Sequence, residues 1–285
     1  MLSNVSTQAF RDAMEESGLL TREPLIADSL IHRFHVEGDK PGSKNGWYIL
    51  FGDVLPAGAF GSWKTGQKGC WCAKEAKSLS PQERAEYRRR MEQAHLTREA
   101  EEQARRKQAA EKAAAIWNAS LPAPDSHPYL VRKGVRSHGV KFYKEALVIP
   151  VRDTGAELHS LQFINGDGKK RFLSGGRKHG CFFIIGSPLE SVCVCEGFAT
   201  GASINESTGF PVAVAFDAGN LLPVTKALRA KFPQVKIILC ADNDAHTPGN
   251  PGLTKAREAA LAVDGLLAVP PVPGDFNDFI RGAQR

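Results

Sequence analysis

No apolar run among these 285 residues approaches the roughly 20 needed to span a bilayer. Met1 to Phe10 contains no basic segment followed by an apolar core, so the N-terminus does not read as a secretory signal. Cysteine is sparse, with six residues. Cys193, Cys195 and Cys240 sit inside apolar runs and read as small buried hydrophobes. A disulfide framework is not expected. These absences lead to the expectation of a cytoplasmic chain with no membrane partner.

Positive charge is in excess. The net charge is +6 and the pI about 9.0, which permits a polyanionic partner without requiring one. The cations are clustered. Lys169, Lys170, Arg171, Arg177 and Lys178 fall within ten residues, and Arg88, Arg89 and Arg90 are consecutive.

The chain reads as α/β, α+β overall, in four segments. Residues 1–77 form a small mixed module, with a helix from Thr7 to Glu16 and short strands around Gly46–Asp53 and Ala59–Trp63. Residues 78–120 form a charged helical linker, one long helix or a broken pair. Ser80, Pro81 and Glu83 supply the cap, first-turn proline and capping-box acid. A helix this polar is expected to be mostly solvated. Residues 121–188 form an antiparallel basic subdomain, with strands at Ala146–Val151, Leu158–Ile164, Lys169–Leu173 and Cys181–Ile185. Residues 189–285 alternate strands with helices, which argues for a parallel sheet covered on both faces.

Three acidic clusters follow apolar strands in that last segment. They are Glu196-Gly197 after Ser191–Cys195, Asp242-Asn243-Asp244 after Val235–Cys240, and Asp275 to Asp278 after Leu266–Val269. Ligands of open α/β sheets bind beyond the carboxyl ends of the strands. Carboxylates gathered there repel one another unless a cation is present. Asp217 also follows a strand and reads equally as a turn cap. His159, His179 and His246 are set aside, because a hard-ion site prefers oxygen.

Glu196-Gly197, followed 46 residues later by Asp242-Asn243-Asp244, resembles the two signature motifs of TOPRIM domains. Asp275 and Asp278 resemble a third acidic patch seen in primases. The Lys169–Leu173 stretch is similar in place to the basic subdomain of bacterial primases. The resemblance covers roughly residues 120–283 and points to a DNA primase of plasmid or phage type. It implies a Rossmann-like catalytic sheet and nucleotidyl transfer that makes RNA primers. Mg²⁺ or Mn²⁺ would be held by Glu196, Asp242, Asp244, Asp275 and Asp278, with Glu196 either ligand or general base. Gly197 and Gly201 would let the backbone approach phosphates. Lys169, Lys170, Arg171, Arg177 and Lys178 would meet the single-stranded DNA template or ribonucleoside triphosphates. A separate replicative helicase is the expected partner, unless the chain is a piece of a longer polypeptide.

The N-terminal module departs from the zinc ribbon that opens many primases. His32 and His35 with Cys70 and Cys72 are one candidate zinc set, against four unrelated residues. Trp47, Phe60, Trp63, Lys64, Lys68 and Trp71 are either a single-strand stacking surface or a small core with exposed lysines. Two rival functions remain: a TOPRIM-type nuclease using the same acids, and a non-catalytic nucleic-acid-binding accessory protein of replication.

Overall fold

The computed structural model describes residues 4–53, 55–187 and 190–283. The chain forms two compact units, Met1–Gln103 and Ala104–Arg285. Among the described residues no helix is long and apolar enough to cross a membrane.

The first unit is an antiparallel sheet between two helices. Its strands β1 (Ile31–Phe34), β2 (Gly46–Phe51), β3 (Ala57–Ser62) and β4 (Lys68–Cys72) lie in that order. Side chains alternate across a strand, so Tyr48 and Leu50 of β2 face Phe10 and Met14 of α1 (Asn4–Glu16). Ile49 and Phe51 face Met91 and Ala94 of α2 (Pro81–Ala119).

α2 is a single helix of 39 residues. Its capping box forms as expected: Ser80 N donates to Glu83 Oε2 at 2.9 Å, and Glu83 N donates to Ser80 Oγ at 3.2 Å. The expectation of a mostly solvated helix fails at two arginines. Arg90 is buried, donating to Leu55 O at 2.5 Å, Asp53 at 2.8 Å and Glu86 at 2.7 Å. Buried Arg98 lies over the rings of Trp47 and Trp63. Charge on a helix reads as solvent exposure, yet a guanidinium can be buried where partners and ring faces replace water.

Trp47 and Phe60 belong to the interior rather than to a stacking surface. The zinc set does not assemble. His32 and His35 are at or just beyond β1, and Cys70 and Cys72 are on β4, at opposite edges of the sheet. Three strand spacings separate those edges, about 14 Å. His32 stacks on Tyr48 and bonds Asp28, while His35 bonds Ser43 O.

The second unit holds two sheets. The antiparallel one runs β5 (Leu121–Pro122), β6 (Lys141–Tyr143), β7 (Ala146–Arg152), β8 (Leu158–Asn165) and β9 (Lys170–Phe172), in that order. α3 (Pro128–Lys133) lies between β5 and β6 in sequence. One face of this sheet, Val148, Leu161 and Phe163, packs on Ala113, Ile116 and Trp117 at the end of α2. The other, Leu147, Ile149 and Ile164, joins the core of the second sheet.

That second sheet contains β10 (Phe183–Ile185), β11 (Ser191–Cys195), β12 (Val212–Val214), β13 (Lys236–Cys240) and β14 (Leu266–Ala268), in the order β10-β12-β11-β13-β14. The last four strands are mutually parallel, and β10 is an antiparallel edge. The Cys181–Ile185 run, expected to close the basic antiparallel set, keeps only a bridge from Phe182 to Arg152 of β7 there, and its strand β10 pairs with β12. A short apolar run fits either sheet, and only tertiary packing decides which. The expected segment boundary at 188/189 lies outside the described residues.

Strand alternation sends Cys193 and Cys195 of β11 and Ile238 and Cys240 of β13 to one face. Val192, Val194, Ile237 and Leu239 go to the other. α4 (Phe198–Thr208) and α7 (Phe276–Ala283) cover the first face; α5 (Leu221–Lys231) and α6 (Pro251–Leu261) cover the second. Each fully buried aliphatic side chain contributes about 1.5–3 kcal/mol.

Gly201 has a packing role rather than a place against phosphate. A Cβ there would lie 2.8 Å from Val214 Cγ2 and 3.1 Å from Cys195 Sγ. Its bare Cα lets α4 close onto the sheet. Gly201→Ala is therefore expected to cost about 1–3 kcal/mol by overpacking, read as a lowered midpoint in urea unfolding with the slope unchanged. Unaltered stability would contradict this close approach.

Candidate active site

Glu196, Asp242 and Asp275 are gathered because β11, β13 and β14 are parallel neighbours ending on the same side. Val194 is in register with Leu239, and Cys240 with Ala268, so the residues after each strand emerge side by side. A backbone bridge between Asn243 and Gly274 ties the second acidic loop to the third.

Burial is the largest influence on these acids. It pushes the Glu196 carboxyl up to about 7, with Asp242, Asp244 and Asp217 adding repulsion. It likewise pushes Asp242 up to about 7, with Asp275, Asp244 and Asp278 adding repulsion while Lys170 opposes the rise. Glu196 Oε1 and Asp242 Oδ1 are both buried without a hydrogen-bond partner. Leaving such an acceptor unsatisfied is costly.

The surrounding residues hold this arrangement. Thr200 Oγ1, in the first turn of α4, donates to Asp275 Oδ2 at 3.1 Å. Asp278 N donates to Asp275 Oδ1 at 2.9 Å, and Asp278 pairs with Lys133 at 3.6 Å. Asn250, with φ +40°, folds the second loop back. Its Oδ1 accepts from Asp244 N at 2.9 Å, and its Nδ2 donates to Asn243 Oδ1 at 3.0 Å. A Cβ on Gly252 would lie 2.9 Å from Asp242 O and 3.0 Å from Asp244 Oδ2. Burial and the nearby charge of Asp275 raise buried Tyr129 to about 12.

Sequence reasoning did not name Thr200, Asn250, Gly252 or Tyr129 for this site. The placement of Thr200, one helical turn after Glu196, was an available signal. Nothing in sequence marks Tyr129. Asp217 takes both of its readings: it accepts from Asn220 N at 3.1 Å as a turn cap, and it adds to the charge around Glu196.

The basic residues divide. Lys170 reaches the acids; its Nζ is 3.8 Å from where a Gly197 Cβ would stand. Lys169, Lys170 and Arg171 also line a groove of about 760 Å³ with Lys144, Phe142 and Phe163. Arg171 lies 4.6 Å over the Phe163 ring. Lys178 pairs with Asp217 and lies over Phe172. Arg177 turns elsewhere, to Asp153 at 2.9 Å and Cys181 Sγ at 3.3 Å.

The acids suit a hard divalent cation. The donors are carboxylate oxygens, two of them buried without a partner, and their mutual repulsion is what a cation relieves. Three ligand atoms mutually within 4.8 Å occur, among the described residues, only at Asp153, Glu157 and His159. The strand-end acids therefore stand farther apart than a closed three-ligand cage.

Residues 191–284 match the family model for the Toprim domain. Two Escherichia coli proteins named DNA primase TraC are similar. One is 36% identical over 277 residues, covering 92% of this chain and 26% of that protein. The other is 34% identical over 280 residues, covering 92% of this chain and 19% of that protein. The chain thus spans about a quarter or less of the length of the curated relatives it matches. The primase fragment of the bacteriophage T7 primase-helicase protein superposes over 54% of this chain and 69% of its own, with 18% identity and a TM-score of 0.43.

Raised carboxyls link folding to pH. Below about 3 the Glu196 and Asp242 carboxyls are largely protonated folded and unfolded alike. As pH rises the unfolded chain ionises first, so their share of stability falls until about 7 and is absent above it. Without divalent cations, Glu196→Gln and Asp242→Asn should therefore melt higher than the parent at pH 8 and nearly equally at pH 3. Added Mg²⁺ should raise the parental melting temperature more at pH 8 than at pH 5. Equal shifts at both pH values would refute the linkage.

Proposed function

We propose that this chain, whose residues 191–284 belong to the Toprim family, catalyses template-directed synthesis of short RNA primers on single-stranded DNA. The supporting observation is the pair of buried, unpartnered carboxylate oxygens on Glu196 and Asp242 beside a basic groove. The similarity to two proteins named DNA primase TraC points the same way. An acid cluster alone would equally suit hydrolysis; a cationic and aromatic groove continuous with Lys170 favours holding a strand while a bond is made.

Phosphoryl transfer depends chiefly on positioning and charge neutralisation. Asp242, Asp244 and Asp275 would hold Mg²⁺ or Mn²⁺, with Asp278 outside them and Glu196 either a further ligand or the general base, and the ion would supply positive charge against the negative charge of the transfer. Asn250 and Thr200 keep Asp244 and Asp275 in place. Glu196 Oε1, in a carboxyl poised near neutrality, suits accepting the proton of the 3′ hydroxyl as the new phosphodiester bond forms and pyrophosphate leaves. Lys170 brings an ammonium to the rim, where it meets triphosphate or template phosphate as a point charge. Lys169 and Arg171 extend that contact along the groove, and Phe142 and Phe163 give it ring faces for bases. Lys178, neutralised by Asp217, shapes the edge. Arg177 is a structural anchor in this reading. A separate helicase partner goes with it.

Single-stranded DNA, ribonucleoside triphosphates and Mg²⁺ should yield oligoribonucleotides from the parent protein. Glu196→Gln and Asp242→Asn should each reduce synthesis by on the order of a thousandfold, with DNA affinity within about twofold. Synthesis persisting in either variant sinks the site. DNA cleavage in place of synthesis selects the nuclease, and binding with neither reaction selects the accessory role. Lys170→Ala should lower the salt dependence of single-stranded template binding by about 0.7 of a unit of slope.

A further inference from the structure

The proposed polymerase site has cations on two sides, and the hairpin groove accounts for one. The other lies where α3 meets α7. α3 ends at Gly134 in the left-handed region, φ +63°, so its last carbonyls need partners. Arg132 O accepts from the Arg281 guanidinium, and Lys133 O accepts from Asn277 Nδ2 at 2.8 Å. Two cavities open around this junction. One, about 590 Å³, is lined by Arg132, Lys133, Asp278 and Arg281; the other, about 530 Å³, by Arg136, His138, Glu206 and Arg281. They share Arg281.

The charge balance favours an anion. Arg132 donates to Gly166 O at 2.8 Å, and Arg281 to Arg132 O. Both acceptors are neutral carbonyls, so both guanidinium charges remain uncompensated. Glu206 is engaged by His138 at 2.6 Å and by the Arg136 backbone at 2.8 Å. The Arg136 side chain is exposed, and its charge, shared with nearby Asp125, also faces solvent. Lys133 pairs with Asp278 at 3.6 Å.

The surface is also continuous with the groove already described. Gly166, which Arg132 grips, is in the turn leading to Lys169–Arg171 and itself lines that groove. Lys133 touches the outermost acid. The cations therefore run from the hairpin, past the acids, to α7.

We propose that Arg132, Lys133, Arg136 and Arg281 form a second track that binds the phosphodiester backbone of a single-stranded polynucleotide crossing the acidic site. The inference rests on the polymerase reading for the strand's presence at the acids. A strand held on both sides of the reacting centre is fixed in direction as well as position, which a single groove does not achieve. The track takes phosphates as point contacts and reads no base.

The test uses Lys133→Gln with Arg136→Gln, which leaves the Arg132 and Arg281 carbonyl contacts intact, and Arg136→Gln alone in case the pair misfolds. Circular dichroism and the melting temperature establish folding. Binding of a fluorescent single-stranded DNA of about 16 nucleotides is followed between roughly 50 and 200 mM salt. The double variant should lose about 1.4 units of slope in log affinity against log salt, the single variant about 0.7, and Arg136→Lys should restore the parental slope. An unchanged slope in both Gln variants, with Lys170→Ala still lowering it, overturns the track and leaves the polymerase reading standing. Loss of Mg-ATP binding with DNA binding intact would assign these cations to the incoming nucleotide, and the proposal falls. No DNA binding by the parent protein removes both readings.

Discussion

The structure turns on a repulsion. Parallel pairing of β11, β13 and β14 brings Glu196, Asp242 and Asp275 out on one edge of one sheet. Burial there removes the water that would otherwise screen their charges. The two innermost carboxyls respond by holding protons to about neutrality. Folding tolerates this cost because the strands behind Glu196 and Asp242 are deeply buried, with Val192, Val194 and Leu239 fully enclosed. Thr200, Asn250 and the bare Cα of Gly252 then fix where each acid can go.

The acids were legible in the sequence because each follows an apolar run of strand length, and parallel strands share a ligand edge. What positions the acids was far less legible. Asn250 acts through a left-handed backbone, and Gly252 through a contact across the loop; neither leaves a periodic trace. The placement of β10 failed for a related reason, since three apolar residues carry no information about which strand they will join. Gly201 was read as a phosphate approach because glycine near a motif suggests one. The side chains of Cys195 and Val214 supply the actual constraint.

Arginine was the least readable residue. Arg90 and Arg98 are buried on a helix whose composition suggests solvent. Arg177 stands in the basic cluster by sequence and is committed to Asp153 in space. Arg132 and Arg281 spend their donors on carbonyls and keep their charge. The sequence counts all of these equally toward the net charge of +6. Which of them a polyanion can feel depends on whether the partner is a carboxylate, a ring or a carbonyl, and partner identity is a tertiary property.

Those two halves, acids and cations, have to coexist within one edge of one sheet. Fully ionised acids without a cation would repel any phosphate entering the adjacent groove and would draw Lys170 inward. Carboxyls poised near neutrality avoid this. When no divalent ion is held, protons neutralise Glu196 and Asp242 in part near pH 7; a bound ion would take over that neutralisation and displace them. The groove therefore faces a less negative ion-free site than fully ionised acids would present. Strand binding and ion binding are linked through Lys170, whose ammonium opposes the rise of Asp242 and also lines the groove.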